Sequence, residues 1–122
     1  MKLLYVEDEA DIRTIAEFAL EDEGFEIVFC ESGEQALARA PDFQPEVILL
    51  DVMMPGMDGP TTLKNLRQIP GLQGTPIIFL TAKVQPDEIK GFIALGALAV
   101  IAKPFDPMTL ADQIRSIIDA HG

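Results

Sequence analysis

The sequence predicts an α/β domain: a doubly wound, five-stranded parallel sheet made by repeating a βα unit five times. Short apolar runs alternate with stretches of helical period from one end to the other, the pattern of strands joined by crossover helices. The third and fourth runs, Val47-Ile-Leu-Leu50 and Ile77-Ile-Phe-Leu80, are continuously apolar, as strands covered on both faces must be. No Pro/Gly/Ser-rich linker, internal repeat or low-complexity tract breaks the alternation. One domain over residues 1–122 is therefore expected, with nothing left over for an output domain.

The first run, Leu3-Leu-Tyr-Val6, stops at the acidic Glu7-Asp8-Glu9. A helix should follow, with Ile12, Ile15, Ala16, Ala19 and Leu20 along one face and Gly24 placed to end it. The second run, Glu26-Ile-Val-Phe29, is flanked by Glu26 and Glu31 and reads as an edge strand. Ser32 with Gln35 forms a capping box for the second helix, which carries Ala36, Leu37 and Ala40 before Pro41. After the third run, Leu63 and Leu66 mark a helix over about Pro60 to Ile69, stopped by Pro70-Gly71. A weaker helix, Pro86 to Leu95, presents Ile89, Phe92 and Ile93. The fifth run is Ala97-Leu-Ala-Val-Ile-Ala102, and the last helix has Asp106 as N-cap, Pro107 at its first position, and Leu110, Ile114, Ile117 and Ile118 facing the sheet.

Composition narrows the function classes. Nine Lys plus Arg against 20 Asp plus Glu give a net charge of −11, which repels a phosphate backbone, so direct nucleic-acid binding is not expected. Met1-Lys2 is followed by only four apolar residues before Glu7, too few for a secretory signal, and the longest near-apolar stretch, Phe92 to Ala102, falls well short of the ~20 residues of a membrane span. No membrane insertion and a cytoplasmic location follow as expectations. Cys30, the only cysteine, fits a reducing compartment and reads as a small apolar filler.

In an open parallel sheet the ligand site lies beyond the carboxyl ends of the strands. Here the first strand ends in Glu7-Asp8, the third in Asp51, the fourth in Thr81-Ala82 and the fifth in Lys103-Pro104. Three carboxylates, a hydroxyl and an ammonium thus converge from four separate segments. Clustered carboxylates repel, so the site needs raised pKa values or a divalent cation, and an all-oxygen donor set suits Mg²⁺.

On these residues the chain resembles the receiver domains of bacterial two-component response regulators over essentially its whole length. The motifs are Val6-Glu-Asp-Glu9, Leu50-Asp-Val-Met-Met-Pro-Gly-Met-Asp-Gly59, Leu80-Thr-Ala82 and Lys103-Pro-Phe105. The resemblance implies a flavodoxin-like strand order 2-1-3-4-5, which sets the first and third strands side by side. It makes Asp51 the phosphoacceptor of a phosphorelay signalling switch, with phosphohistidine of a sensor histidine kinase or a histidine phosphotransfer protein as donor. Asp8, Asp51 and the backbone carbonyl of Met53 would coordinate Mg²⁺, Glu7 acting through water. Lys103 and Thr81 would contact phosphoryl oxygens, Lys103-Pro104 would be a cis peptide, and Gly59 would permit an unusual dihedral after Asp51. A monomer that signals to a downstream protein is implied.

Other classes remain as alternatives. A Mg²⁺-dependent phosphohydrolase with an aspartyl nucleophile typically carries a second acid two residues on, where this chain has Met53. A flavin or nucleotide binder of the same fold would need a glycine-rich turn after the first strand, where Glu7-Asp8-Glu9 stands instead. A receiver kept only for docking would lack the acid pair, Asp51 or Lys103. One departure from the family pattern is Val100, which occupies the place of an aromatic residue that swings inward in many members. That puts the rotating-aromatic form of the switch in question.

Overall fold

Five βα units follow one another through the chain: β1 (Lys2–Val6), α1 (Ala10–Leu20), β2 (Glu26–Cys30), α2 (Gly33–Phe43), β3 (Val47–Asp51), α3 (Gly59–Leu66), β4 (Ile77–Thr81), α4 (Pro86–Leu95), β5 (Ala99–Ala102) and α5 (Leu110–His121). The computed structural model describes residues 1–121, so Gly122, the last residue of the expected domain, lies outside the described residues. The strands pair in parallel in the order β2-β1-β3-β4-β5. This is the expected order, and β1 and β3 are neighbours in register Leu3↔Val47 to Val6↔Leu50.

Strand alternation divides the core into two. Leu4, Val6, Ile48, Leu50 and Phe79 point to one face and pack with Ala36 and Ala40 of α2 and Leu63 and Leu66 of α3. Leu3, Tyr5, Val47, Leu49, Ile78 and Leu80 point to the other, against Ala16 and Leu20 of α1 and Leu110 and Ile114 of α5. Every residue of β3 and β4 is buried, whereas β2 begins with exposed Glu26, as an edge strand should. Cys30 is buried at the end of β2, and its burial raises the thiol pKa, consistent with a filler.

The helices depart from the sequence reading in their details. Ala16 and Leu20 are buried as expected, but Ile15 is 46% exposed, because it sits about 100° round the helix from Ala16 and misses the sheet. Ser32 Oγ accepts from Gln35 N at 3.1 Å, while Gln35 Oε1 reaches back to Glu31 N at 2.9 Å, one residue before the expected box partner. α2 continues through Pro41 to Phe43: near a C-terminus, proline's missing N–H forfeits one helical bond without ending the turn. α3 closes at Leu66, earlier than Ile69, and the chain passes into i→i−3 turns at Gln68 and Ile69 before Pro70, which disfavours a helical residue ahead of it. The last helix starts at Leu110, later than Pro107; Asp106 nevertheless caps its approach, Oδ1 accepting from Met108 N at 2.9 Å and its carbonyl from Leu110 N at 3.0 Å.

α4 is the least embedded helix. It has the expected bounds and a Gln85/Glu88 capping box, yet none of its residues is fully buried. Ile93 is 44% exposed, and the main anchor is Phe92, edge-on to Phe79 at 5.4 Å between centroids. Among the described residues, no helix is long and apolar enough to cross a membrane.

Candidate functional site

Continuing the β1 and β3 alternation past the last apolar residues brings Glu7 and Asp51 to the rim of the sheet on the α1/α5 side. Ligand oxygens of Glu7, Asp8 and Asp51 lie within 4.8 Å of one another, so this group can hold a metal ion. The donor set is entirely oxygen and trebly acidic, which fits a hard divalent cation such as Mg²⁺. Glu7 is 0% and Asp51 3% exposed, whereas Asp8 is half-buried and opens toward solvent.

Lys103 reaches the same cluster from the end of β5. Its Nζ lies 2.8 Å from Glu7 Oε1 and 3.2 Å from Asp51 Oδ2, so it bridges both carboxylates and sits closer to Glu7 than to the expected partner, Asp51. The Lys103-Pro104 bond is cis, as the family resemblance implies. Thr81 is buried at the end of β4, its hydroxyl accepting from Lys83 N at 3.0 Å. Met53 N donates to Asp51 Oδ1 at 3.2 Å, while the Met53 side chain is 63% exposed, so the contact with Asp51 is made by its backbone. Val100 packs half-buried against the core on the α4 side of the sheet.

The fold brings Glu7, Asp8, Asp51 and Lys103 into one cluster, and Thr81 stands at the neighbouring end of β4, its carbonyl accepting from Lys103 N at 2.9 Å. The fold assigns Gly59 a different part from the expected one: its φ lies outside the left-handed region, and the positive φ in this loop belongs to Gly56, at +74°. Sequence reading missed Arg13, whose guanidinium donates to the carbonyl of Glu7 at 2.8 Å. The available signal was an arginine one helical turn past the acidic run.

Burial dominates the electrostatics. It pushes the Glu7 carboxyl up to about 7, with Lys103 opposing and the Asp51 charge reinforcing the rise. Burial also raises Asp51, against the lowering by its contacts with Glu7 and Lys103. For Lys103 burial acts downward, and Glu7 and Asp51 outweigh it, so the ammonium stays charged. Glu7 therefore holds a proton in the folded chain at a pH where the unfolded chain has lost it. Stability from this group is present below an unfolded pKa of 4.5 and is lost as pH rises toward about 7. In a chelator, we expect the unfolding free energy to fall by about 1–3 kcal/mol between pH 5 and pH 8, and Glu7→Gln to flatten that slope; denaturant melts at the two pH values measure it, and an unchanged slope in the variant assigns the effect to another group.

Comparison with known proteins gives one consistent result. The family model described as "Response regulator receiver domain" matches residues 3–115. Over 118 residues the chain is 37% identical to the alkaline phosphatase synthesis transcriptional regulatory protein PhoP of Bacillus subtilis, covering 96% of this chain and 48% of that protein. It is 40% identical to the transcriptional regulatory protein CpxR of Escherichia coli, covering 96% and 49%. The chain thus spans about half the length of the curated relatives it matches. Among solved structures, the chemotaxis protein CheY4 of Vibrio cholerae superposes with a TM-score of 0.88 at 34% identity, over 95% of this chain and 97% of that one.

Proposed function

The chain belongs to the response regulator receiver family, and from that premise we propose that it is a Mg²⁺-dependent phosphorelay switch whose phosphoacceptor is Asp51. The observation that carries this reading is the convergence of Glu7, Asp8 and Asp51 within 4.8 Å with Lys103 bridging Glu7 and Asp51. Asp8, Asp51 and the carbonyl of Met53 would hold Mg²⁺, with Glu7 acting through water. When bound, the ion neutralises charge that gathers on the phosphoryl oxygens in the transition state.

The remaining chemistry belongs to the chain. One Asp51 carboxylate oxygen attacks phosphorus and forms the O–P bond; the P–N bond to a partner's phosphohistidine breaks, and its electron pair returns to the imidazole nitrogen. Lys103, a compact charge on a flexible stem, turns from the carboxylates to a phosphoryl oxygen. Thr81 donates a hydrogen bond from its hydroxyl to another, and Ala82, small and exposed, leaves room for the donor. The donor is a sensor histidine kinase or a histidine phosphotransfer protein, and the phosphorylated form changes its affinity for a downstream protein. We read the domain over residues 1–122 as a cytoplasmic monomer that does not contact nucleic acid or membrane directly. Met53, standing two residues beyond Asp51 with an exposed thioether, offers no acid for a phosphohydrolase cycle.

The test is incubation with acetyl phosphate followed by intact mass. One added phosphoryl group in Mg²⁺ and none in chelator is the expected result; labelling indifferent to Mg²⁺ would remove the metal from the reading. The switch itself is tested at Thr81. A phosphoryl group can bias two states only by contacting them differently, and the contacts available are the Thr81 hydroxyl and the Lys103 ammonium. Thr81→Ala is therefore expected to accept phosphate more slowly and, saturated with a stable acyl-phosphate mimic, to show roughly half or less of the wild-type amide shift changes in β4, α4 and at Val100. A full wild-type pattern in the variant would move the coupling to Lys103 or the loop after Asp51.

A further inference from the structure

We propose that Arg13 is a positioning residue for the cation site, acting on Asp8 through the peptide that joins it to Glu7. The inference rests on the Mg²⁺ reading above and concerns a residue that touches none of the three carboxylates' oxygens. Arg13 stands in the first turns of α1 with its side chain mostly buried. Nη1 donates to the Glu7 carbonyl at 2.8 Å, and Nη2 reaches Glu31 Oε1, just beyond β2, at 3.4 Å. Glu7 N donates to the Cys30 carbonyl at 2.9 Å. The residue is thus held from both sides: β2 fixes its amide, and Arg13 fixes the carbonyl of the peptide whose nitrogen is Asp8's own.

Among the described residues, no other side chain donates to the Glu7 carbonyl. Glu9, the N-cap of α1, makes no side-chain cap bond, and among the described residues the only side-chain bond within the turn is Glu9 N to Glu7 Oε2 at a long 3.3 Å. Asp8, half-buried and without an ion pair of its own among the described residues, takes its direction from the backbone beneath it. A planar guanidinium suits the place because it reaches two acceptors in different directions at once, which a lysine ammonium on a flexible stem does not reproduce.

The sign of the effect separates positioning from charge. A cation near a Mg²⁺ site repels the metal, so if Arg13 mattered only by its charge, removing it would tighten binding. If it holds Asp8 in place, removing it weakens binding, and groups that orient metal ligands typically contribute 10–100-fold in affinity. Amide-shift titrations with Mg²⁺ on the wild type, Arg13→Met, Arg13→Lys and Glu31→Gln make the comparison. We expect Arg13→Met to weaken Mg²⁺ roughly 10-fold, Arg13→Lys to recover part of that loss, and Glu31→Gln, which keeps the Glu7 bond, to change it less than about twofold. In acetyl phosphate labelling, the Mg²⁺ concentration for half-maximal rate should rise by the same factor in Arg13→Met while the rate at saturating Mg²⁺ stays near wild type. Should Arg13→Met fail to fold, Arg13→Lys alone carries the test, with several-fold weakening expected. Unchanged or tighter binding in the folded variants overturns the positioning role while leaving the site reading intact. A wild type that binds no Mg²⁺ overturns both.

Discussion

Asp51→Asn is expected to gain no phosphoryl group under conditions that label the wild type fully. The amide cannot serve as the nucleophile, and no neighbouring carboxylate can take its place. Glu7 is buried and tied to Lys103 at 2.8 Å, and Asp8 is required as a metal ligand in this reading. A fold defect would not explain the loss. Asparagine has the shape of aspartate, its carbonyl can keep the bond from Met53 N, and the change removes one charge from a cluster in which burial already pushes Glu7 and Asp51 toward protonation. The unfolding midpoint of Asp51→Asn in chelator should therefore equal or exceed that of the wild type. Intact mass on both proteins, with the melt as control, decides the matter: labelling of the variant at the wild-type level would place the acceptor elsewhere.

The fold was legible because every level of the sequence pointed the same way. Continuous apolar runs at Val47–Leu50 and Ile77–Leu80 require cover on both faces, and the structure supplies it. Strand order was not legible from periodicity, since the alternation that makes two cores is the same for any permutation of the strands; the motif resemblance provided it, and the pairing bears it out. Helix ends were the least legible. Pro41 reads as a stop but sits where a helix tolerates it, and Ile15 fits the apolar period but not the ~100° stripe that meets the sheet. At the candidate site, residue types singled out Glu7, Asp8, Asp51, Thr81 and Lys103 for the proposal, because carboxylates, a hydroxyl and an ammonium at strand ends have few other uses in combination. Contacts made through backbone atoms left no such mark. Arg13 acts on a carbonyl, and nothing in its own identity says which one.

Gly59 is the other residue whose part is written in backbone contacts, and it gives the second large effect. A Cβ built there would lie 2.7 Å from the carbonyl oxygen of Asp51 and 2.7 Å from Val52 Cα, both main-chain atoms that cannot rotate aside. The approach is fixed by a bond from Gly59 N to Val52 O at 3.0 Å and by the start of α3, where Asp58 Oδ1 caps Thr61 N at 2.9 Å. Gly59→Ala must therefore push α3 away from the end of β3, losing the cap geometry or the packing of Leu63 beneath it. Overpacking of this kind costs about 1–3 kcal/mol, and the upper half of that range is expected because the atoms struck are backbone. For a domain of this size the thermal midpoint should drop by roughly 8–12 °C. The displaced carbonyl is Asp51's own, so phosphoryl acceptance at subsaturating Mg²⁺ should slow as well. Gly74→Ala is the control: nothing lies within 4 Å of a Cβ there and its φ is outside the left-handed region, so its midpoint should stay within about 2 °C of wild type or rise slightly through the loss of unfolded-state freedom. Matching midpoints for the two alanine variants would show that α3 yields easily to the added methyl, and that the close approach at Gly59 does not hold Asp51 in place.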